Sequence, residues 1–232
     1  MKVLWVCNIV LPVIARELHM EVSNKEGWIS GMADTFLEKQ AENGITLSVA
    51  FPVPEGELPE GRKIGGLTCY GFREDLNRAE VYEETLELSL KKIVSMVEPD
   101  IVHCFGTEYP HTLAMCRVFP HKDRLLVGVQ GLCTLIETAY HANLPEKVIR
   151  SVTLRDWLRR DNLGQQREKF LLRGKTERES IRLAGNVTGR TRWDKEQVEK
   201  WNRRARYFDI NESLRREFYG PVWDSLKAEP YS

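Results

Sequence analysis

An α/β fold, in the form of an open parallel sheet with helices on both faces, is what this sequence predicts. Apolar runs of strand length alternate along the chain with stretches whose apolar residues recur at helical spacing. The first run, Val3-Leu4-Trp5-Val6-Cys7, has no polar alternation, as expected of a strand covered on both faces. Polar or glycine-rich residues follow most of the runs, where a parallel sheet opens its crevice. These features together define a Rossmann-like architecture. The chain has 232 residues, 42% of them hydrophobic, which is enough to bury one large core.

The elements are read in order. After the first strand, the chain up to Lys25 reads as a loop. Ile29, Met32, Ala33, Phe36 and Leu37 then line one face of a helix that Asn43-Gly44 stops. Ile45 to Phe51 is a second strand, Pro52 to Gly61 an exposed loop, and Leu67 to Phe72 a third strand. The next helix presents Tyr82, Leu86, Leu90, Ile93 and Val97 on one face, and Pro99-Asp100 ends it. Ile101 to Phe105 follows as a strand, Thr112 to Val118 as a helix and Leu125 to Val129 as a strand. Glu146 to Leu183 is charged and helical. Short strands at Asn186 to Thr188 and Arg206 to Ile210 flank a helix that runs from Asp194 to about Arg203. No repeat, low-complexity tract or linker divides the chain, so residues 1–232 read as one domain.

Charge and cysteine usage exclude several classes. Lys plus Arg and Asp plus Glu are 34 each, which gives no support to bulk binding of nucleic acid. Lys147 to Arg182 is locally basic; it reads as a solvated helical face, or as a surface meeting an anionic acceptor or membrane headgroups. Cys7, Cys69, Cys104, Cys116 and Cys133 include no C-x-x-C pair and are odd in number. They read as reduced core thiols of a cytoplasmic protein, with no metal site expected. Val3 to Ala15 is apolar enough to resemble a short signal peptide, but Asn8 and Pro12 interrupt it. No other segment approaches the ~18 apolar residues of a membrane span.

Common nucleotide and hydrolase motifs are missing. There is no G-x-G-x-x-G, which disfavours a dinucleotide cofactor, and no G-x-S-x-G nucleophile elbow. Gly174-Lys175-Thr176 lacks the earlier glycine of a P-loop, because Lys169 occupies that position. Asn186-Val187-Thr188 reads as an accidental glycosylation triplet.

Chemistry gathers at the strand ends instead. Gly27-Trp28-Ile29-Ser30-Gly31 opens a helix, where glycines and the helix dipole suit a phosphate. His103 lies within its strand, and Gly106-Thr107-Glu108-Tyr109-Pro110-His111 follows it; carboxylates and ring hydroxyls of this kind suit sugar hydroxyls. Gln130-Gly131, Gly189-Arg190-Thr191-Arg192-Trp193-Asp194 and Asn211-Glu212 follow later strands, and Arg190 offers a guanidinium to a phosphate or carboxylate.

As a set and in this order, these segments resemble the N-terminal half of family 4 glycosyltransferases of the bacterial cell-surface polysaccharide type. The resemblance is carried by Met1-Lys2-Val3-Leu4-Trp5-Val6 with Asn8 and Pro12, Gly27 to Gly31, Pro99 to His111, Val129-Gln130-Gly131-Leu132, Gly189 to Asp194, and Asn211-Glu212-Ser213-Leu214-Arg215. It implies one half of a GT-B architecture, in which two Rossmann-like domains face each other across the active site. The N-terminal domain binds the acceptor, and the C-terminal domain binds an NDP-sugar donor. Transfer retains anomeric configuration, is metal-independent and uses no cofactor. Gly27, Trp28 and Gly31 are then expected at the donor diphosphate. His103, Glu108, Tyr109, Gln130, Arg190, Asn211 and Glu212 are expected at the acceptor or transferred sugar. The acceptor is a glycan or a lipid-linked glycan, which places the protein in the cytoplasm or peripheral to the inner face of the membrane. Two departures matter. Gln130 stands where many relatives carry a histidine, and an amide cannot exchange a proton near neutral pH. The donor domain's pair of glutamates with seven residues between them (E-x7-E) does not occur, so the donor domain reads as missing and this polypeptide alone is expected to be inactive. The alternative is a stand-alone, non-catalytic sugar- or nucleotide-binding module.

Overall fold

The computed structural model describes residues 1–21, 27–53, 60–211, 213–214 and 218–220. Its first half contains β1 (Lys2–Val6), α1 (Pro12–Glu17), α2 (Gly27–Glu38), α3 (Gln40–Asn43), β2 (Thr46–Pro52), β3 (Glu60–Ile64), β4 (Leu67–Phe72), α4 (Thr85–Val97) and β5 (Ile101–Phe105). The second half contains α5 (Pro110–Val118), β6 (Leu125–Gly128), α6 (Cys133–Ala139), α7 (Glu146–Ile149), α8 (Leu154–Arg159), α9 (Leu163–Leu183), β7 (Asn186–Gly189), α10 (Arg192–Trp201) and β8 (Arg206–Asp209).

One sheet runs β3-β4-β2-β1-β5-β6-β7-β8, and every pairing is parallel except that of β3 with β4. Alternate residues of each central strand serve opposite faces. Leu4, Val6, Val102, Cys104 and Val127 pack with Leu86, Leu90 and Ile93 of α4, Met115 of α5, Ile181 of α9 and Val198 of α10. Val3, Trp5, Cys7, Val49 and Phe51 pack with Ile14 of α1 and with Ile29 and Ala33 of α2. Trp5 anchors this second layer, edge-on to Phe36 at 5.2 Å and to Phe105 at 5.3 Å. The five cysteines are all buried and unpaired.

Local departures from the sequence reading have physical causes. The segment after β1 read as loop contains α1, whose first position is Pro12; the N–H a proline lacks is one that no helix bonds there. The predicted loop from Pro52 to Gly61 overlaps β2 and β3 at its two ends, while residues 54–59 of it lie outside the described residues. β3 is exposed except at Ile64, so it carries no apolar run. It is joined to β4 by Gly65 and Gly66, both at positive φ (55° and 83°), the conformation a two-residue hairpin turn requires. Tyr82 precedes α4 and donates from its hydroxyl to Glu87 Oε1.

The sheet reverses its winding at β1. From there the chain builds outward through β2 and β4 on one side and through β5, β6, β7 and β8 on the other. Parallel sheets of this kind bind ligands beyond the carboxyl ends at such a switch point.

Candidate functional site

A cleft of about 360 Å³ lies where this topology directs attention. Asn8 and Ile9 follow β1; His103 and Phe105 lie in β5, with Tyr109 after them; Gly128 ends β6, with Val129 and Gln130 after it; Thr188 lies in β7, with Arg190 after it; Ile210 and Asn211 follow β8. Trp28 and Met32 of α2 complete the lining. Of the residues expected at a site, Trp28, His103, Tyr109, Gln130, Arg190 and Asn211 are therefore brought together. Gly27 and Gly31 lie in the first turns of α2 without lining the cleft, and Glu212 lies outside the described residues.

The cleft has an apolar wall and a polar floor. Trp28 tilts against Phe105 at 5.3 Å, and the His103 ring lies 3.9 Å from Phe105, centroid to centroid. Three side-chain atoms at the floor are buried without a hydrogen-bond partner among the described residues: His103 Nε2, Gln130 Nε2 and Thr188 Oγ1. Buried polar groups are nearly always satisfied, so orphans converging on one cavity point to a ligand or its water. Gly128 lies among them. A Cβ there would meet His103 Nε2 at 3.5 Å and Thr188 Cγ2 at 3.6 Å, which is ordinary contact. The glycine is thus not demanded by the backbone; it leaves the floor open.

Burial depresses the His103 pKa from 6.5 to about 3, because an imidazolium there would be stripped of water with no counter-charge. The ring is neutral over the physiological range, able to hydrogen-bond a hydroxyl but not to carry its proton. Arg190 Nη2 donates to the Gln130 carbonyl at 3.1 Å, and the Arg190 N–H donates to Asp194 Oδ2 at 3.1 Å. The first bond holds the guanidinium at the rim, and the second fixes the Arg190 backbone. The Tyr109 ring stacks on His111 at 5.3 Å with the Arg173 guanidinium 5.4 Å away. Gly106, at φ 88°, allows this placement: a Cβ would lie 2.6 Å from the Tyr109 ring.

Glu108 does not line the cleft. Its carboxyl is buried 3.9 Å from Arg173 Nη2, and burial raises its pKa. Below it Glu177, from α9, accepts the N–H groups of Cys133 at 2.7 Å and Thr134 at 3.1 Å, at the start of α6. Burial lifts Glu177 to about 7 although both bonds favour its ionised form. This anchor fixes the loop that carries Gln130.

Thr188, Gly128, Asn8, Ile9, Met32 and Ile210 line the cleft without having been expected in it. Thr188 reads as part of a strand, and Gly128 has no side chain to advertise itself. Asn8 alone carried a signal, a polar residue directly after the first buried strand.

No protein-family model matches the chain, and no curated protein matches it. Solved structures do. A sucrose-phosphate synthase from Thermosynechococcus elongatus aligns with a TM-score of 0.52 at 9% identity, over 90% of this chain and 48% of that one. UDP-GlcNAc 2-epimerase from Neisseria meningitidis, bound to UDP-GlcNAc, aligns at 0.43 and 17% identity over 86% and 43%. Medicago truncatula UGT71G1, complexed with UDP-glucose, aligns at 0.48 and 11% identity over 99% and 53%. The fold is Rossmann-like α/β of the GT-B type, and the first of these similarities carries that statement. The chain spans about half the length of each of these structures. Among the described residues no helix is long and apolar enough to cross a membrane, and no group of three or more His, Cys, Asp or Glu is arranged to hold a metal ion.

Proposed function

We propose that this chain is the acceptor-side half of a GT-B glycosyltransferase, binding a glycan or lipid-linked glycan while a second domain presents an NDP-sugar. The observation that carries this reading is the cleft floor, where His103 Nε2, Gln130 Nε2 and Thr188 Oγ1 are buried and unpartnered beside an apolar wall of Trp28, Met32 and Phe105. Hydroxyls of a sugar ring satisfy such a floor while its C–H face rests on such a wall. In this reading Arg190 and Asn211 hold polar groups at the rim, and the start of α2 at Gly27, Trp28 and Gly31 turns toward the donor diphosphate. Glu108 acts from behind, through Arg173 and Tyr109. Transfer proceeds with retention and without a metal. The match to 48% of a sucrose-phosphate synthase is in keeping with one domain of two.

A second reading, a sugar-binding module without catalysis, is favoured by one observation. The described residues lining the cleft include no carboxylate, and His103 is too weak a base to take a proton near neutral pH.

Calorimetric titration of this chain with acceptor glycans and, separately, with NDP-sugars tests both readings. Glycan binding is expected, together with weak or no NDP-sugar binding. Gly128→Ala, whose methyl covers His103 Nε2 and Thr188 at ordinary contact distances, is expected to weaken glycan binding about tenfold with an unchanged melting temperature, since it removes about one desolvated hydrogen bond. NDP-sugar binding that is tight, or glycan binding indifferent to Gly128→Ala, overturns the assignment.

A further inference from the structure

The excursion between α6 and α9 does not behave as part of the core. From Ala142 to Arg160 every residue is exposed except Ile149 and Asp156, which are half-buried. Within it α8 turns an apolar stripe to solvent: Leu154 is 74% exposed, Trp157 69% and Leu158 68%. These positions are spaced i, i+3, i+4 and share one face of the helix. Val148 of α7 and Val152 before α8 are also exposed, at 45% and 53%. A helix of six residues is far below the ~12 that an isolated helix needs to persist in water. Its Thr153–Asp156 capping box gives local order, but none of the described residues covers the stripe. Leaving Trp157 and two leucines in water is costly, and an ordered apolar surface of this kind marks an interaction site.

Charge indicates what meets it. Arg155 and Arg159 lie along one flank of the stripe, Arg160 follows α8, Lys147 stands on α7 and Arg150 caps its end. The acids nearby are largely engaged: Glu146 pairs with Arg150 at 2.6 Å, and Asp156 accepts the Thr153 N–H in the capping box. Among the described residues, Lys147, Arg155, Arg159 and Arg160 form no salt bridge. A narrow stripe of Leu and Trp bordered by arginines suits the boundary between acyl chains and anionic headgroups, where indole rings settle and guanidinium groups meet phosphate. A protein partner or a second copy of this chain would need acidic residues around an apolar hollow to complement the same pattern.

We propose that α7 and α8 form a membrane-contact surface that places Leu154, Trp157 and Leu158 in the headgroup–acyl boundary of an anionic bilayer. The proposal stands apart from the ligand of the cleft, so either can fail without the other.

Co-sedimentation of this chain with vesicles of phosphatidylglycerol and phosphatidylethanolamine, and with vesicles of phosphatidylcholine alone, tests it. Sedimentation is expected with the anionic vesicles, and high salt should weaken it. The triple variant Leu154→Ser, Trp157→Ser, Leu158→Ser should lower the apparent affinity at least about tenfold. Arg155→Gln with Arg159→Gln and Arg160→Gln should abolish the preference for anionic lipid. All six side chains are exposed, so circular dichroism and melting temperature are expected to stay at wild-type values and exclude misfolding as the cause. Absence of sedimentation, or sedimentation unaffected by the triple serine variant, overturns the proposal. So does stripe-dependent dimerisation in sedimentation equilibrium without vesicle binding.

Discussion

His103 shows how burial decides what a residue can do. Its ring lies against Phe105 with no carboxylate of the described residues in contact, and desolvation by burial depresses its pKa to about 3. The unfolded chain takes up a proton as pH falls through 6.5, and the folded chain does not until about 3. His103 therefore contributes stability above pH 6.5 that is lost progressively as pH falls toward 3. The direct check is imidazole NMR, with the resonance assigned by comparison with His103→Gln. Its chemical shifts should stay flat from about pH 8 to about pH 5, the range in which an ordinary histidine titrates. A midpoint near 6.5 would mean that the ring is hydrated and the cleft floor as described is wrong. At this scale sequence and structure agree unevenly. The rule that polar residues follow strand ends selects Tyr109, Gln130, Arg190 and Asn211, which line one cleft together with His103 from inside β5, because the rule depends only on topology. It missed Gly128, whose contribution is an empty volume. It also grouped Glu108 with Tyr109, although neighbours in sequence point to different surroundings: Tyr109 to the cleft, Glu108 to Arg173.

Helices are positioned by single polar contacts as much as by packed faces. α9 reads in sequence as a charged, solvated helix, yet Glu177 is fully buried and holds the first N–H groups of α6. Gly174 makes this possible, since a Cβ there would lie 2.9 Å from Thr134 Oγ1 and 3.0 Å from its backbone nitrogen. Glu177→Ala leaves two buried donors unpaired and should cost about 3 kcal/mol in urea unfolding, whereas Glu177→Gln keeps one acceptor and should cost about 1 kcal/mol. The pH dependence separates this from a simple packing loss. A folded pKa of about 7 against an ordinary 4.5 means that the unfolded chain ionises first. Folding stability then falls as pH rises from 4.5 to about 7. The difference in unfolding free energy between wild type and Glu177→Gln removes the opposite contribution of His103, which both share. That difference should narrow in favour of the variant across the window; a constant difference would mean that Glu177 does not titrate there. Strands and long helices were legible because their apolar periodicity is a property of many residues. β3 was not, since an edge strand exposed at four positions of five has no apolar signature, although Gly65-Gly66 between Ile64 and Leu67 marked its turn. The short α6 was passed over because its amphipathic pattern spans only seven residues.

At the scale of the whole molecule, the question is what one Rossmann-like unit can accomplish. The sheet places the ends of β1, β5, β6, β7 and β8 along one cleft, and α2 forms a wall of it. In the proposed reading that arrangement orients a ligand. Sugar transfer asks for more: the departing nucleoside diphosphate carries charge that must be stabilised as the bond to the sugar breaks, and the acceptor hydroxyl must lose a proton. His103 cannot take that proton near neutral pH, and Arg190 is already engaged with the Gln130 carbonyl and lies on the acceptor side in the proposed division. Binding and chemistry should therefore separate in this polypeptide. With a glycan that binds and a radiolabelled NDP-sugar, transfer by the chain alone is expected to remain at the level of a no-protein blank. In the same samples, saturation-transfer NMR should still report contact between the glycan and the protein, and with Gly128→Ala about tenfold more glycan should be needed to reach the same signal. Labelled product above the blank would mean that one domain supplies the leaving-group stabilisation, and the two-domain reading would have to be replaced by one in which this cleft is itself a complete active site.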